Sequence, residues 1–229
     1  RYLTGSEHLD YSRMIPEEKR MLNMFTYTLC EKAYPDMDFD LSAQLRSSPN
    51  MAAELIELLK YNFNGIDFVD KMLDLGFECP LDLHCTYTRD QILLAMDHMD
   101  PSNMREGVKF IKDKKADLFF VTLNKSDKEY SPSTMYKDYS INESLFHWQS
   151  QSTTGSDSNT GQRYINHRSL GNRVLLFVRE HKKNDFGTEP YTFLGKANYV
   201  SHEGSKPMSI IWKLDDPIPA KYLKKTNQL

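Results

Sequence analysis

The segment Leu145-Phe146-His147-Trp148-Gln149-Ser150-Gln151 alternates apolar and polar side chains, the period of a β-strand. Phe146 and Trp148 fall on one face, and His147, Gln149 and Gln151 on the other. A glutamine amide donates and accepts hydrogen bonds at once, which suits the edges of nucleic-acid bases. The same alternation also fits an ordinary solvent face of an antiparallel sheet. A second cluster runs from Ala197 to Met208, where Asn198, Tyr199, His202, Ser205 and Lys206 surround a turn at Gly204. There, a glycine that tolerates positive φ exposes backbone N–H groups to a phosphate, with the Lys206 amine beside them. Gly204-Ser205-Lys206-Pro207 is equally a plain turn sequence. Arg163, Tyr164, Arg168 and Arg173 add cations and an aromatic ring of the kinds that meet nucleic-acid backbone and bases. Together with Lys125 and Lys206, these arginines are the expected phosphate contacts.

Catalytic signatures are sparse. No GxxxxGK[ST], GxSxG, HExxH or GxGxxG occurs, so neither a phosphate-cradling loop nor a familiar hydrolase or dinucleotide site is expected, and the chain reads as a non-enzyme without a cofactor. Asp117, Glu143 and Glu180 are the acids near strands that a metal-dependent nuclease would use, but their spacing is loose. Cys79, His84 and Cys85 lack a second ligand pair at zinc-site spacing, so no metal site is expected. Three cysteines, an odd and sparse set, suit a reducing cytoplasm better than a disulfide framework.

The elements that must position these groups divide the chain. Met21, Leu22, Phe25, Leu29 and Ala33 recur at helical spacing behind Pro16, predicting an amphipathic helix. Leu55, Ile56, Leu58 and Leu59 form a second stripe, with Asn50 as its cap and Asn64-Gly65 as its stop. Short helices are expected over Phe68–Leu75, and Thr88 caps another that carries Ile92, Leu93 and Met96. After this last helix a tight glycine turn is expected, yet Asp97-His98-Met99 stands there. Beyond Pro101 the pattern becomes short β-runs: Val108–Ile111, Leu118–Leu123, Ser144–Gln151, Arg173–Arg179, Tyr191–Ala197 and Met208–Leu214. The stretch 151–162 is rich in Ser, Thr, Gly and Asn and reads as a loop. The fold class is therefore α+β: an all-α bundle over residues 1–100, then a mainly antiparallel sheet or pseudo-barrel over 101–229, rather than a βαβ arrangement.

Charge follows the same division. The net charge is −3 over 229 residues, but residues 1–100 hold 9 Lys and Arg against 18 Asp and Glu, and the remainder holds 20 against 14. An acidic half is joined to a basic one, and a basic half is the electrostatic footprint expected of a phosphate partner, though solvated surfaces also differ in this way. The longest apolar runs, such as Val174–Val178, are far below the roughly 20 residues of a membrane-spanning helix. No basic-then-apolar leader follows Arg1, so a cytoplasmic location is expected, and the chain reads as a piece of a longer protein.

The segments CPLDLHCTYTRDQI, ADLFFVTLNKSDKEYSPSTMYKDYSI, LFHWQSQSTT, GQRYINH, LLFVRE and FLGKANYVSHEGSKPMSIIWKLDDPIP resemble an uncharacterised domain at the C-terminus of bacterial superfamily-2 DEAD/DEAH-type helicases. The resemblance covers residues 79–229 most strongly. Some members of that helicase family carry an N-terminal phospholipase-D-like nuclease domain, an arrangement that resembles restriction or phage defence. It implies an attached helicase motor as partner and a setting in DNA processing. At fold level the strand pattern also resembles PUA/SRA-like pseudo-barrels that read modified bases. That likeness implies Trp148, Tyr164 or Tyr199 stacking a flipped base whose edge His147, Gln149 and Gln151 read. The expectation is a DNA-binding accessory module. Its rivals are a protein-interaction domain that docks on the helicase core and a divergent metal-dependent nuclease.

Overall fold

The computed structural model describes residues 11–65, 71, 73–104, 107–124, 138–185 and 187–223. Helix α1 (Pro16–Cys30) starts where expected, with Pro16 in its first turn and Glu18 Oε2 accepting from the Ile15 N–H at 3.2 Å. Of the expected stripe Leu22 and Ala33 are buried, Phe25 and Leu29 partly so, and Met21 is exposed, while Asn23, Met24 and Thr26 complete the buried face. The place of Asn23 there has a polar cause. The Asn23 side chain accepts from the Tyr34 N–H at 3.1 Å and donates to the Tyr11 hydroxyl, holding that face inward. Helix α2 (Leu41–Ser47) is capped by Asp40, and α3 (Pro49–Asn64) begins at Pro49, so Asn50 lies inside α3 rather than capping it. Half of the stretch Phe68–Leu75 expected to be helical lies outside the described residues, and 71 and 73–75 are not helical.

Strand β1 (Thr86–Tyr87) leads into α4 (Arg89–Ala95), where Thr88 and Gln91 form a reciprocal capping box. Asp97 ends this turn in the left-handed conformation that glycine usually supplies, with φ of 61°. Its carboxylate explains the choice. Asp97 accepts from Arg20 Nε at 2.8 Å and from Lys114 Nζ at 2.6 Å, tying the turn to α1 and to the turn that holds Lys114.

The remaining strands are β2 (Val108–Ile111), β3 (Ala116–Thr122), β4 (Tyr139–Ser140), β5 (Leu145–Gln149), β6 (Arg173–Arg179), β7 (Lys183–Asn184), β8 (Gly187–Thr188), β9 (Tyr191–Glu203) and β10 (Ser209–Leu214). They form a sheet in the order β2-β3-β6-β9-β10-β5-β4, with β1 also on β9 and β7–β8 apart as a small ribbon. The sheet is mixed. β3 and β6 run parallel, joined by a crossover that holds β4, β5 and helix α5 (Asn159–Ile165). The crossover departs from the expected absence of a βαβ-type connection, and α5 replaces part of the loop expected over 151–162. Ser158 makes the helix possible by accepting from the Gly161 N–H at 3.0 Å.

Two cores share the sheet. On one face Leu118, Phe120, Leu175, Phe177 and Phe193 pack under Ile92, Leu93 and Leu94 of α4 and Met24 of α1, so this core runs across position 100. On the other face Phe119, Val121, Leu176, Leu194, Ile210 and Trp212 pack with Trp148 and with Tyr164 of α5. β3 and β6 contribute to both cores, which is why they read as continuous apolar runs. The sheet also curls. Phe119 on β3 stacks on Trp148 of β5 with ring centroids 4.1 Å apart, although β6, β9 and β10 lie between those strands in the order. Register shifts opposite β9, one beside Gly195 at φ of 89°, supply the bends.

Candidate nucleic-acid interface

Register decides which polar residues share a surface. Pairing of β4, β5, β10 and β9 aligns Tyr139, His147, Ile211 and Ser201 in one row, and Gln149, Ser209 and Glu203 in the next. These side chains lie opposite the face that buries Phe146, Trp148, Ile210 and Trp212, as the alternation predicts. Tyr139 and His147 stack with ring centroids 4.7 Å apart, and the Gln149 amide donates to Ser209 Oγ at 3.3 Å. Gln151 does not extend the row. β5 stops at Gln149, and Ser150 turns inward, fully buried, with its hydroxyl accepting from the Met208 N–H at 2.9 Å. Ser201, Ser209 and Tyr139 belong to the surface but escaped sequence reading, because register between strands distant in sequence is not written in either strand.

The β9–β10 hairpin carries this surface to its tip. Gly204 and Lys206 both take positive φ there, and Ser205 Oγ accepts from the Ser156 N–H at 3.2 Å, joining the hairpin to the loop before α5. Gly155 fits this junction because a Cβ on it would crowd Asp157, Ser205 and Lys206. Lys206 is exposed at the tip. Farther along β9, Tyr199 Oη and His202 Nδ1 lie 2.6 Å apart on the core-facing side, with Tyr199 edge-on to Trp212. Arg168 is exposed and donates to Asn198 Oδ1 at 3.0 Å, and Asn198 in turn donates to Asp215 at 2.6 Å.

Several expected contacts are committed elsewhere. Trp148 and Tyr164 are core residues, 5% and 1% exposed, and stacking a base on either would require opening the second core. Arg163 makes a bidentate pair with the fully buried Asp117, both bonds at 2.9 Å, and lies over the Phe110 ring. It neutralises a buried carboxylate, which commits its Nε and Nη2 to the fold. Arg173 is half-buried against Phe77 and donates to the Lys114 carbonyl at 3.3 Å. Lys125 lies outside the described residues.

The family described as Domain of unknown function (DUF3427) matches residues 81–225, well over half of the chain. The chain belongs to that family. No curated protein matches it. The DUF3427 segment begins just before β1 and takes in α4, the whole main sheet and α5, so the second core and both polar clusters fall within it, whereas the first core also draws on Met24, Ala33, Leu75 and Cys79 before it.

Within the DUF3427 segment the acids considered for nuclease chemistry are scattered. Asp117 is bound by Arg163, Glu143 is exposed, and the Glu180 carbonyl accepts from the Asn124 N–H at 2.8 Å. Among the described residues no three of His, Cys, Asp and Glu gather closely enough to hold a metal ion. Burial pushes the Cys79 thiol up to about 11, so it stays protonated and weakly nucleophilic near neutrality. Burial also pushes the His84, His98 and His167 imidazoles below their ordinary value. His167 Nδ1 lies 3.0 Å from the Tyr164 carbonyl, which only accepts, so that nitrogen carries the proton.

Proposed function

We propose that this domain binds DNA as an accessory module of a helicase, using the outer face of β4, β5, β10 and β9 and the hairpin tip that extends it. One observation supports the reading most: the register rows collect a stacked Tyr139–His147 pair and the Gln149, Ser209 and Ser201 side chains on one strand surface, and that surface runs to Ser205 and Lys206. Donors and acceptors aligned on one strand face suit base edges or sugar groups, and an exposed cation at its end suits phosphate. The surplus of basic residues after position 100 agrees with such a partner. The attached motor, the setting in restriction or phage defence, the absence of catalysis in this domain and the cytoplasmic location rest on the resemblance to helicase C-termini and on composition. Within this reading Trp148, Tyr164 and Arg163 act by shaping the sheet, and Tyr139 takes the place of the buried aromatics as the exposed-side ring.

The test is fluorescence anisotropy with single-stranded, duplex and base-modified duplex DNA across a salt series. Lys206→Glu is expected to weaken binding on every sequence and to lower the salt slope by about one unit or more. Gln149→Ala should reduce affinity for the preferred target alone, by about 1–3 kcal/mol. Absence of binding to all three DNAs would overturn the proposal. It would favour a second reading, docking on a protein partner, which the exposed Met51, Leu58, Leu59 and Tyr61 of α3 support.

A further inference from the structure

A cleft of about 580 Å³ lies where the C-terminal part of α1, the start of α4 and the ends of β6 and β9 converge. Two arginines line it, and neither has a carboxylate within ion-pair distance among the described residues. Arg179 is only 7% exposed. Its Nε donates to Thr122 Oγ1 at 2.9 Å, its Nη1 donates to the Glu189 carbonyl at 3.0 Å, and its guanidinium lies 4.3 Å from the centre of the Tyr191 ring. Those contacts orient the fork but leave its charge uncompensated and Nη2 without a partner among the described residues. Arg89 lines the same space, and its Nε is buried with no hydrogen-bond partner. A buried guanidinium normally sits against a carboxylate or phosphate, because removing its charge from water is otherwise costly.

The rest of the lining restricts what such an anion is attached to. Lys182 adds a third cation to the wall, and Tyr27 and Tyr191 offer aromatic surface. Three carboxylates also line the cleft. Glu189 is engaged through Oε2 by the His181 N–H at 3.1 Å, whereas Asp90 and Glu31 act on Tyr27, whose hydroxyl is pushed above its ordinary value by burial first and then by these charges. A polyphosphate would meet those acids, whereas hydroxyl or amino groups would bond to them. The volume exceeds that of a bare oxyanion and falls within the roughly 300–1,000 Å³ of small-molecule sites.

We propose that this cleft is a binding site for a small phosphomonoester of mononucleotide size, with its phosphate on Arg89 and Arg179 and its hydrogen-bond donors toward Glu31 and Asp90. The site is separate from the strand surface above and does not depend on it. Isothermal titration calorimetry of the chain with adenosine 5′-monophosphate, adenosine and adenosine triphosphate tests it. The monophosphate is expected to bind, with inorganic phosphate competing and adenosine and the triphosphate binding more weakly. Arg89→Gln, at a partly exposed position, should weaken monophosphate binding by about tenfold or more. Arg179→Lys, which keeps the charge but not the fork, should weaken it while circular dichroism reports an intact fold. Binding of the monophosphate no tighter than adenosine, or unchanged binding by both variants, would overturn the proposal.

Discussion

Arg163 shows how a residue type read as an anion partner can find an anion inside its own fold. Its guanidinium holds Asp117, a carboxylate with no solvent exposure, through two bonds of 2.9 Å. Arg163→Ala leaves that carboxylate buried and unpaired, and is expected to destabilise the fold by about 3–5 kcal/mol in urea titration. Replacing Asp117 by Asn in the same background should recover part of the loss, which a role in DNA contact would not predict. His167 makes a second prediction at this scale. Burial lowers its folded-state pKa, so it binds fewer protons when folded than when unfolded, and its contribution to stability is present above the unfolded value of about 6.5. That contribution is lost as pH falls through the lower folded pKa. His84 and His98 shift in the same direction, so the urea midpoint should drop between about pH 7 and pH 5. His167→Gln should flatten that decline.

Elements were legible where local chemistry marks them. Strand β6 spans the expected Arg173–Arg179, and Thr88 caps α4 as its hydroxyl and the following Gln91 imply. Helix α5 was missed because Ser, Thr, Gly and Asn read as loop, although Ser158 is a sound cap and Gly161 is needed for contact rather than freedom. A Cβ at Gly161 would overlap the Gly155 carbonyl oxygen and crowd Met208 Sδ. Gly161→Ala is therefore expected to lower thermal stability despite alanine's higher helix propensity, because the overlap falls on backbone and has no side chain to move aside. A rise in melting temperature would show that the junction between the 150–158 loop and the hairpin tip is looser than described. β9 extends six residues beyond the expected Ala197, because its polar second half gains its ladder from β10 rather than from its own apolar pattern.

At the scale of the whole molecule, composition and period were sufficient for an α+β chain with helices first and a β-rich remainder, because amphipathic spacing and turn residues act over a few neighbours. They also placed Phe146 and Trp148 on one face of a strand and His147 and Gln149 on the other. Which face meets solvent, and what Trp148 touches there, was decided by the curl that brings β3 against β5. The parallel β3–β6 pair was likewise decided by a crossover of some fifty residues, and nothing in either strand names its partner. Tertiary structure alone also gathered Arg89 and Arg179, ninety residues apart, into one cleft, and withdrew Arg163 into the fold. The physical reason is the range of the forces. Backbone propensity and hydrophobic period are local properties of a chain, whereas the desolvation of a charge and the partner that compensates it depend on every element packed around it.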